Sequence, residues 1–230
     1  MQNKRGQDLF REHARLAILE QPGLTLLDTE PPVLAGTVRL SDEAGTELDT
    51  FEVRIQYMPG YPEVFSYVFE TAGKIPVNVD WHVYEGDGHL CLCTTTDEYI
   101  KAAGGLALAP FIKAELLPYL YNQLHRRLTG FFLQEMAHGE PGELAALKTL
   151  LKTPLLGNVR WILLKIIAGF RQERTSVCFC GSGLKYRYCH RTAIDQLKKV
   201  RADRLQRLVR MVEDSVEYQV QQLKYNKLIS

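Results

Sequence analysis

Phe51-Glu52-Val53-Arg54-Ile55-Gln56-Tyr57 is the third of four short β-type runs, and the spacing of these runs decides the fold. Leu24-Thr25-Leu26-Leu27 and Val33-Leu34-Ala35-Gly36-Thr37-Val38-Arg39-Leu40 precede it, and Tyr67-Val68-Phe69 follows it. Polar or glycine-bearing turns separate the runs. Connections this short leave little room for crossover helices, so an antiparallel meander is favoured over a parallel sheet. Upstream, Asp8 to Glu20 sets Leu9, Phe10, Leu16, Ala17 and Leu19 at mostly helical spacing, and Gln21-Pro22-Gly23 ends that pattern. A helix followed by a meander opens an α+β fold.

Beyond Cys93 the pattern returns to helix. Leu108 to Phe132 carries apolar residues at helical intervals, with a bend or break expected at Pro118. His138-Gly139-Glu140-Pro141-Gly142 reads as a turn. Glu143 to Leu151 and Val159 to Phe170 read as two further helices, the second apolar on nearly every face and therefore expected to be buried. Ile194, Leu197, Leu205, Leu208, Val212, Val216, Val220 and Leu223 mark one long basic C-terminal helix.

The chain of 230 residues, 46% hydrophobic and 24% charged, can bury a sizeable core. Its net charge of +1 hides an asymmetry. Residues 1–150 carry 12 Lys and Arg against 21 Asp and Glu, a net of −9, whereas residues 151–230 carry 16 against 6, a net of +10. Such a basic segment either docks on an acidic surface, solvates a helix face or meets a partner. The apolar run Trp161 to Phe170 is too short for a membrane span and contains Lys165, so no membrane partner is expected. The N-terminus enters an amphipathic pattern without a signal-peptide core, which implies a reducing cytoplasm and five cysteines used for thiol chemistry and metal.

Two cysteines fall in Trp81-His82-Val83-Tyr84-Glu85-Gly86-Asp87-Gly88-His89-Leu90-Cys91-Leu92-Cys93. A histidine, a glycine-bearing turn and a cysteine between leucines make Cys91 a candidate nucleophile, since a thiolate is both a good nucleophile and a good leaving group in acyl transfer. Other readings stay open. Cys91 can be a core cysteine, and Cys91 with Cys93 can form a redox pair. His89, when protonated, can depress the Cys91 pKa, or it can be a solvated turn residue.

Phe51 to Tyr57, Met58-Pro59-Gly60-Tyr61-Pro62, Tyr67-Val68-Phe69-Glu70-Thr71 and Gly88-His89-Leu90-Cys91-Leu92 resemble the central stretch of the ubiquitin-conjugating (UBC) fold, which also opens with a helix and a four-stranded meander. The resemblance covers roughly residues 5–150 and is to the divergent bacterial members associated with antiphage operons; Leu106 to Ile112, Tyr119 to Gln123 and His138-Gly139 also resemble segments of these. It implies that Cys91 accepts a protein C-terminal carboxyl group as a thioester and passes it to an amine, a lysine or a small molecule. The cargo implied is the C-terminus of a cyclic-oligonucleotide synthase. The family's His-Pro-Asn oxyanion motif is absent, and His82 stands about where its asparagine falls if one residue, Gly86, is inserted in the turn. His82 is therefore expected to serve as oxyanion donor or orienting group. No adenylating domain is recognisable, so activation of the carboxyl group must come from elsewhere. A non-catalytic adapter of the same fold, binding proteins with both parts, is the alternative.

Cys178-x-Cys180-x8-Cys189-His190, with Gly181-Ser182-Gly183 and Lys185-Tyr186 between the ligand pairs, is similar to the SEC-C motif named for the C-terminus of the SecA motor. Four soft or borderline ligands suit tetrahedral Zn²⁺ with no open position, which makes the expected site structural. The motif implies protein partners; Lys185, Arg187 and Arg191 offer nucleic acid as a weaker option or simply a solvated face. The segments expected are thus a UBC-like domain over 1–155, a buried helix and zinc module over 156–192, and a basic helix over 193–230.

Overall fold

The computed structural model describes residues 4–135 and 139–229; His138 lies outside them. Helix α1 (Lys4–Glu20) precedes strands β1 (Leu24–Leu27), β2 (Val33–Ser41), β3 (Glu47–Gln56) and β4 (Tyr67–Glu70). The strands form one antiparallel sheet in sequence order, the expected meander. Cross-strand register places Leu34 opposite Ile55, Gly36 opposite Val53 and Val38 opposite Phe51. Because side chains alternate along a strand, these pairs share one face. The apolar members of this set are at most 1% exposed, and Phe10, Ala14 and Ala17 of α1 are fully buried with them.

One position in this sheet demands glycine. Gly36 has φ of 134°, and a Cβ built on it would lie 2.3 Å from the Gly23 carbonyl oxygen. Gly36→Ala is therefore expected to lower stability by roughly 2–4 kcal/mol, combining backbone strain with overpacking. Urea unfolding checks this, and an unchanged midpoint would contradict the close approach.

Helix α2 (Thr95–Ala102) follows the cysteine segment, with Thr94 as N-cap. Then come α3 (Leu108–Phe111), a π-helical stretch over Ile112–Leu116, and α4 (Leu117–Thr129). The interruption expected at Pro118 falls just before it, because a proline in the first turn of α4 removes an N–H and crowds the preceding turn. Gly130, at φ of 89°, ends α4. The remaining helices are α5 (Gly139–Leu150), α6 (Leu156–Ile167), α7 (Arg191–Leu197), α8 (Ala202–Asp214) and α9 (Val216–Ile229). No helix among the described residues is long and apolar enough to cross a membrane.

Several expectations are corrected. Gly139 to Gly142, expected as part of a turn, form the start of α5. The C-terminal segment is three helices instead of one: it breaks after Leu197 and again at Ser215, whose hydroxyl donates to the Val212 carbonyl and accepts from the Tyr218 N–H. Helix α6 is not buried all round; Val159, Ile162, Leu163 and Ile166 face inward, while Trp161 is 44% and Leu164 37% exposed.

The chain divides into two compact units, residues 1–93 with 104–138 and residues 94–103 with 139–230. This division differs from the segments expected from sequence. Residues 94–103 join the second unit because Tyr99, Ile100 and Ala103 pack against its core, which runs from Leu144 to Val212. Residues 139–155 belong there for the same reason, since Leu144, Leu147 and Leu151 are part of that core.

Candidate thiol site and candidate metal centre

In the first unit, the segment after β4 is fixed by backbone bonds. The Leu90 N–H donates to the Val68 carbonyl at 2.7 Å, and Val83 bridges Leu90. Between them, Tyr84 N–H bonds the His89 carbonyl and Gly88 N–H bonds the Tyr84 carbonyl, closing a tight turn. Gly88 supplies the positive φ of 82° that this turn needs. The turn brings Cys91 back beside His82, whose carbonyl accepts the Cys91 N–H at 2.8 Å.

His82 itself has φ of 54°, an uncommon conformation for a residue with a side chain. Helix α4 holds it there. Arg126 Nη1 donates to the Asp80 carbonyl, and its guanidinium stacks on Trp81 and Phe132 at 4.2 and 4.5 Å. Gln123 Nε2 donates to the Trp81 carbonyl at 2.8 Å, and the Tyr119 hydroxyl donates to the His82 carbonyl at 3.0 Å. Three successive carbonyls, 80 to 82, are thus held by one helix face. Burial first, and then the negative charge of Cys91, raise the Tyr119 pKa and keep it a donor. Tyr119→Phe is expected to cost about 1 kcal/mol through the lost hydrogen bond, the His82 carbonyl keeping the Cys91 N–H as its other donor, read by chemical denaturation, with an unchanged stability counting against the clamp.

Cys91 is half-buried and in no disulfide. The Tyr84 hydroxyl oxygen lies 3.8 Å from its sulfur, and so does the Cys93 carbonyl oxygen. The His82 side chain is 3% exposed, with its ring 4.9 Å from that of Phe132. The backbone bond from the Cys91 N–H to the His82 carbonyl joins the two residues. Tyr84 and the stripe Tyr119, Gln123 and Arg126 were not singled out as site residues from sequence. Their i, i+4, i+7 spacing on α4 is the signal that a polar helix face faces a partner.

In the second unit, Cys178 and Cys180 sit on a tight hairpin. Val177 bridges Lys185, and the Cys178 N–H donates to the Leu184 carbonyl at 2.8 Å. Gly181 and Gly183, at φ of 76° and 75°, turn the backbone between the pairs. A 3₁₀ turn over Tyr186–Tyr188 then delivers Cys189 and His190 to the start of α7.

The ligand atoms of Cys178, Cys180, Cys189 and His190 all lie within 4.8 Å of one another. His190 Nδ1 is 3.1 Å from the Cys189 sulfur and 3.4 Å from the Cys178 sulfur, and the Cys180 and Cys189 sulfurs are 3.6 Å apart. His190 is 2% exposed, and its Nε2 lies 2.7 Å from the Leu151 carbonyl. That carbonyl is one of the orphans at the end of α5. With Nε2–H donating there, the tautomer is fixed and the Nδ1 lone pair faces the thiols, the outer-shell arrangement of a metal-binding histidine. Lys152 Nζ adds a bond to the Cys189 carbonyl at 3.1 Å. Burial pushes the Cys178 thiol up to about 11. Burial also pushes Cys180 up, but hydrogen bonds from Ser182, Cys189 and Cys178 outweigh it and bring the thiol down to about 6. Three sulfurs and one oriented imidazole at these separations can hold one tetrahedral metal ion.

Residues 174–191 match the SEC-C motif, a zinc-binding type that includes all four of these residues. No curated protein and no solved structure matches the chain. Of the basic residues in the motif, Arg187 stacks on Tyr188 at 4.6 Å and Arg191 pairs with Asp195 at 3.2 Å.

Proposed function

We propose that the protein is a UBC-like thioester transferase with Cys91 as nucleophile and that its second unit carries a structural Zn²⁺ on Cys178, Cys180, Cys189 and His190. The observation that carries the first part is the clamped approach of the 80–82 segment to Cys91. It places a half-buried thiol with a fixed backbone next to a hydroxyl, on an element that local sequence alone would leave as a loop.

In this reading the Cys91 thiolate attacks the carbonyl carbon of an activated protein C-terminus. The carbonyl π electrons move to oxygen, the activating group leaves, and a thioester remains. An amine then attacks the same carbon, loses a proton to solvent, and the Cys91 thiolate departs. Of the two roles expected for His82, the orienting one has geometric support, because its carbonyl fixes the Cys91 N–H while its ring packs on Phe132. A cyclic-oligonucleotide synthase as cargo and an antiphage setting in the cytoplasm go with the sequence resemblance. Reductant-sensitive adduct formation on Cys91 tests the reading.

The zinc assignment draws on the donor set, since three thiolates and an imidazole without an open position suit Zn²⁺ better than hard cations. A second reading, a non-catalytic adapter, is favoured by one observation. Val177, Leu184 and Tyr188 beside the cluster are 62%, 53% and 67% exposed, an apolar surface suited to a protein partner.

A further inference from the structure

Helix α9 turns its more polar side inward. Its half-buried residues are Glu217, Tyr218, Gln221 and Gln222. Glu217 takes the Lys148 ammonium at 3.0 Å, and the Gln221 side-chain oxygen accepts the Leu156 N–H at 2.9 Å, capping the first turn of α6. Tyr218 packs on the core of the second unit. The outer face is apolar and open to solvent: Val216 is 71%, Val220 41% and Leu223 62% exposed. Their spacing, four residues and then three, sets them in one row along the helix. From Leu223 to Lys227 every residue is exposed. A helix of this length owes most of its stability to a buried apolar face, and α9 carries that face on the side away from its own unit.

The charges along the helix say what covers the row. Asp214, exposed at the end of α8, and Glu217 stand at the N-terminal end of α9, whereas Lys224 and Lys227 stand at its C-terminal end. A second α9 laid parallel would bring like charges together. Laid antiparallel about a two-fold axis, it sets each acidic end against a basic end and opposes the two helix dipoles. With the axis beside Gln219 and Val220, Val216 of one copy meets Leu223 of the other, and Asp214 comes level with Lys224 and Tyr225. We infer that the outer face of α9 is a self-association surface, occupied by α9 of a second copy of this chain in antiparallel, two-fold pairing. A helix of 14 residues is about 21 Å long, so one such pair lies at the small end of specific interfaces. The expected association is correspondingly weak, with a dissociation constant of about 10–100 μM.

The test is sedimentation velocity on the full, zinc-loaded chain over a concentration series that brackets this range. Wild type is expected to pass from monomer to dimer. Leu223→Glu and Val220→Glu each put a charge into the row at a solvent-exposed position, where the fold tolerates it, and each is expected to weaken the dimer at least about 10-fold. Circular dichroism and metal content verify that the variants are folded, and either one suffices should the other misfold. Lys224→Glu sets an acid against Asp214 of the other copy and is expected to weaken pairing about 5-fold; adding Asp214→Lys to it is expected to restore the wild-type constant. A monomer at every concentration overturns the inference, as does a monomer that binds a different protein through α9. A dimer that Leu223→Glu and Val220→Glu leave unchanged places the contact elsewhere and overturns it too. A double charge variant no tighter than Lys224→Glu alone overturns the antiparallel order. None of these readouts depends on Cys91, so the transferase reading stands or falls separately.

Discussion

Cys91→Ser protein expressed beside its genomic neighbours is expected to carry a reductant-resistant ester where the wild type carries a reductant-sensitive adduct, and Cys91→Ala is expected to carry none. A serine oxygen in the same place can be acylated, but an oxyester is a poorer acyl donor to an amine than a thioester, so the intermediate accumulates. Transfer to the acceptor is expected to fall by roughly 10³-fold or more in both variants, as for loss of other covalent nucleophiles. Non-reducing electrophoresis with intact mass spectrometry reads all three proteins. An adduct that persists on Cys91→Ala would move the nucleophile elsewhere, Cys93 being the next thiol in the chain. No adduct in any form, on a folded and metal-loaded protein, would favour the adapter.

Removal of the metal is expected to unfold the hairpin and loosen the start of α7. Val177–Lys185 is a single bridge, and the hairpin that carries Cys178 and Cys180 has little core of its own. A structural zinc in such a module contributes on the order of 10 kcal/mol. Cys178→Ala, at a position 3% exposed, is expected to abolish stoichiometric metal and to remove several kcal/mol from the second unit. The effect should reach beyond the motif, because Cys178 and Tyr186 belong to the same buried cluster as Ile194, Leu197 and Leu208. Elemental analysis gives the metal content, and thermal unfolding with and without a chelator gives the stability. Unchanged melting of a metal-free protein would show the cluster to be an unmetallated loop.

The meander was legible in the sequence because each strand is a local apolar run and each connection is too short for any other path. Val33–Leu40 was expected and Val33–Ser41 is observed; Leu24–Leu27 coincides. Cys178, Cys180, Cys189 and His190 were legible for a similar reason, as their spacing along the chain already limits them to one ion. The three C-terminal helices read as one in the sequence, because apolar periodicity runs on through the breaks at residues 198–201 and at Ser215. Only the Ser215 hydroxyl, which caps α9, marks the second break.

Local period and ligand spacing, then, determined the α+β class, the strand order and the metal-ligand set, since neighbours in sequence suffice to state each of them. Tertiary structure alone decided the rest. It assigned α2 to the second unit through packing of the half-buried Tyr99 and Ile100, chose Nδ1 of His190 by offering its Nε2 the Leu151 carbonyl, and set His89 between Tyr67 and Tyr84. It also turned Tyr119, Gln123 and Arg126 onto the carbonyls of residues 80–82. In each of these, the partner is distant in sequence or the choice is between two atoms of one side chain, and neither can be read from periodicity. A thiol in a sequence motif acquires a fixed position only when such contacts hold the backbone around it.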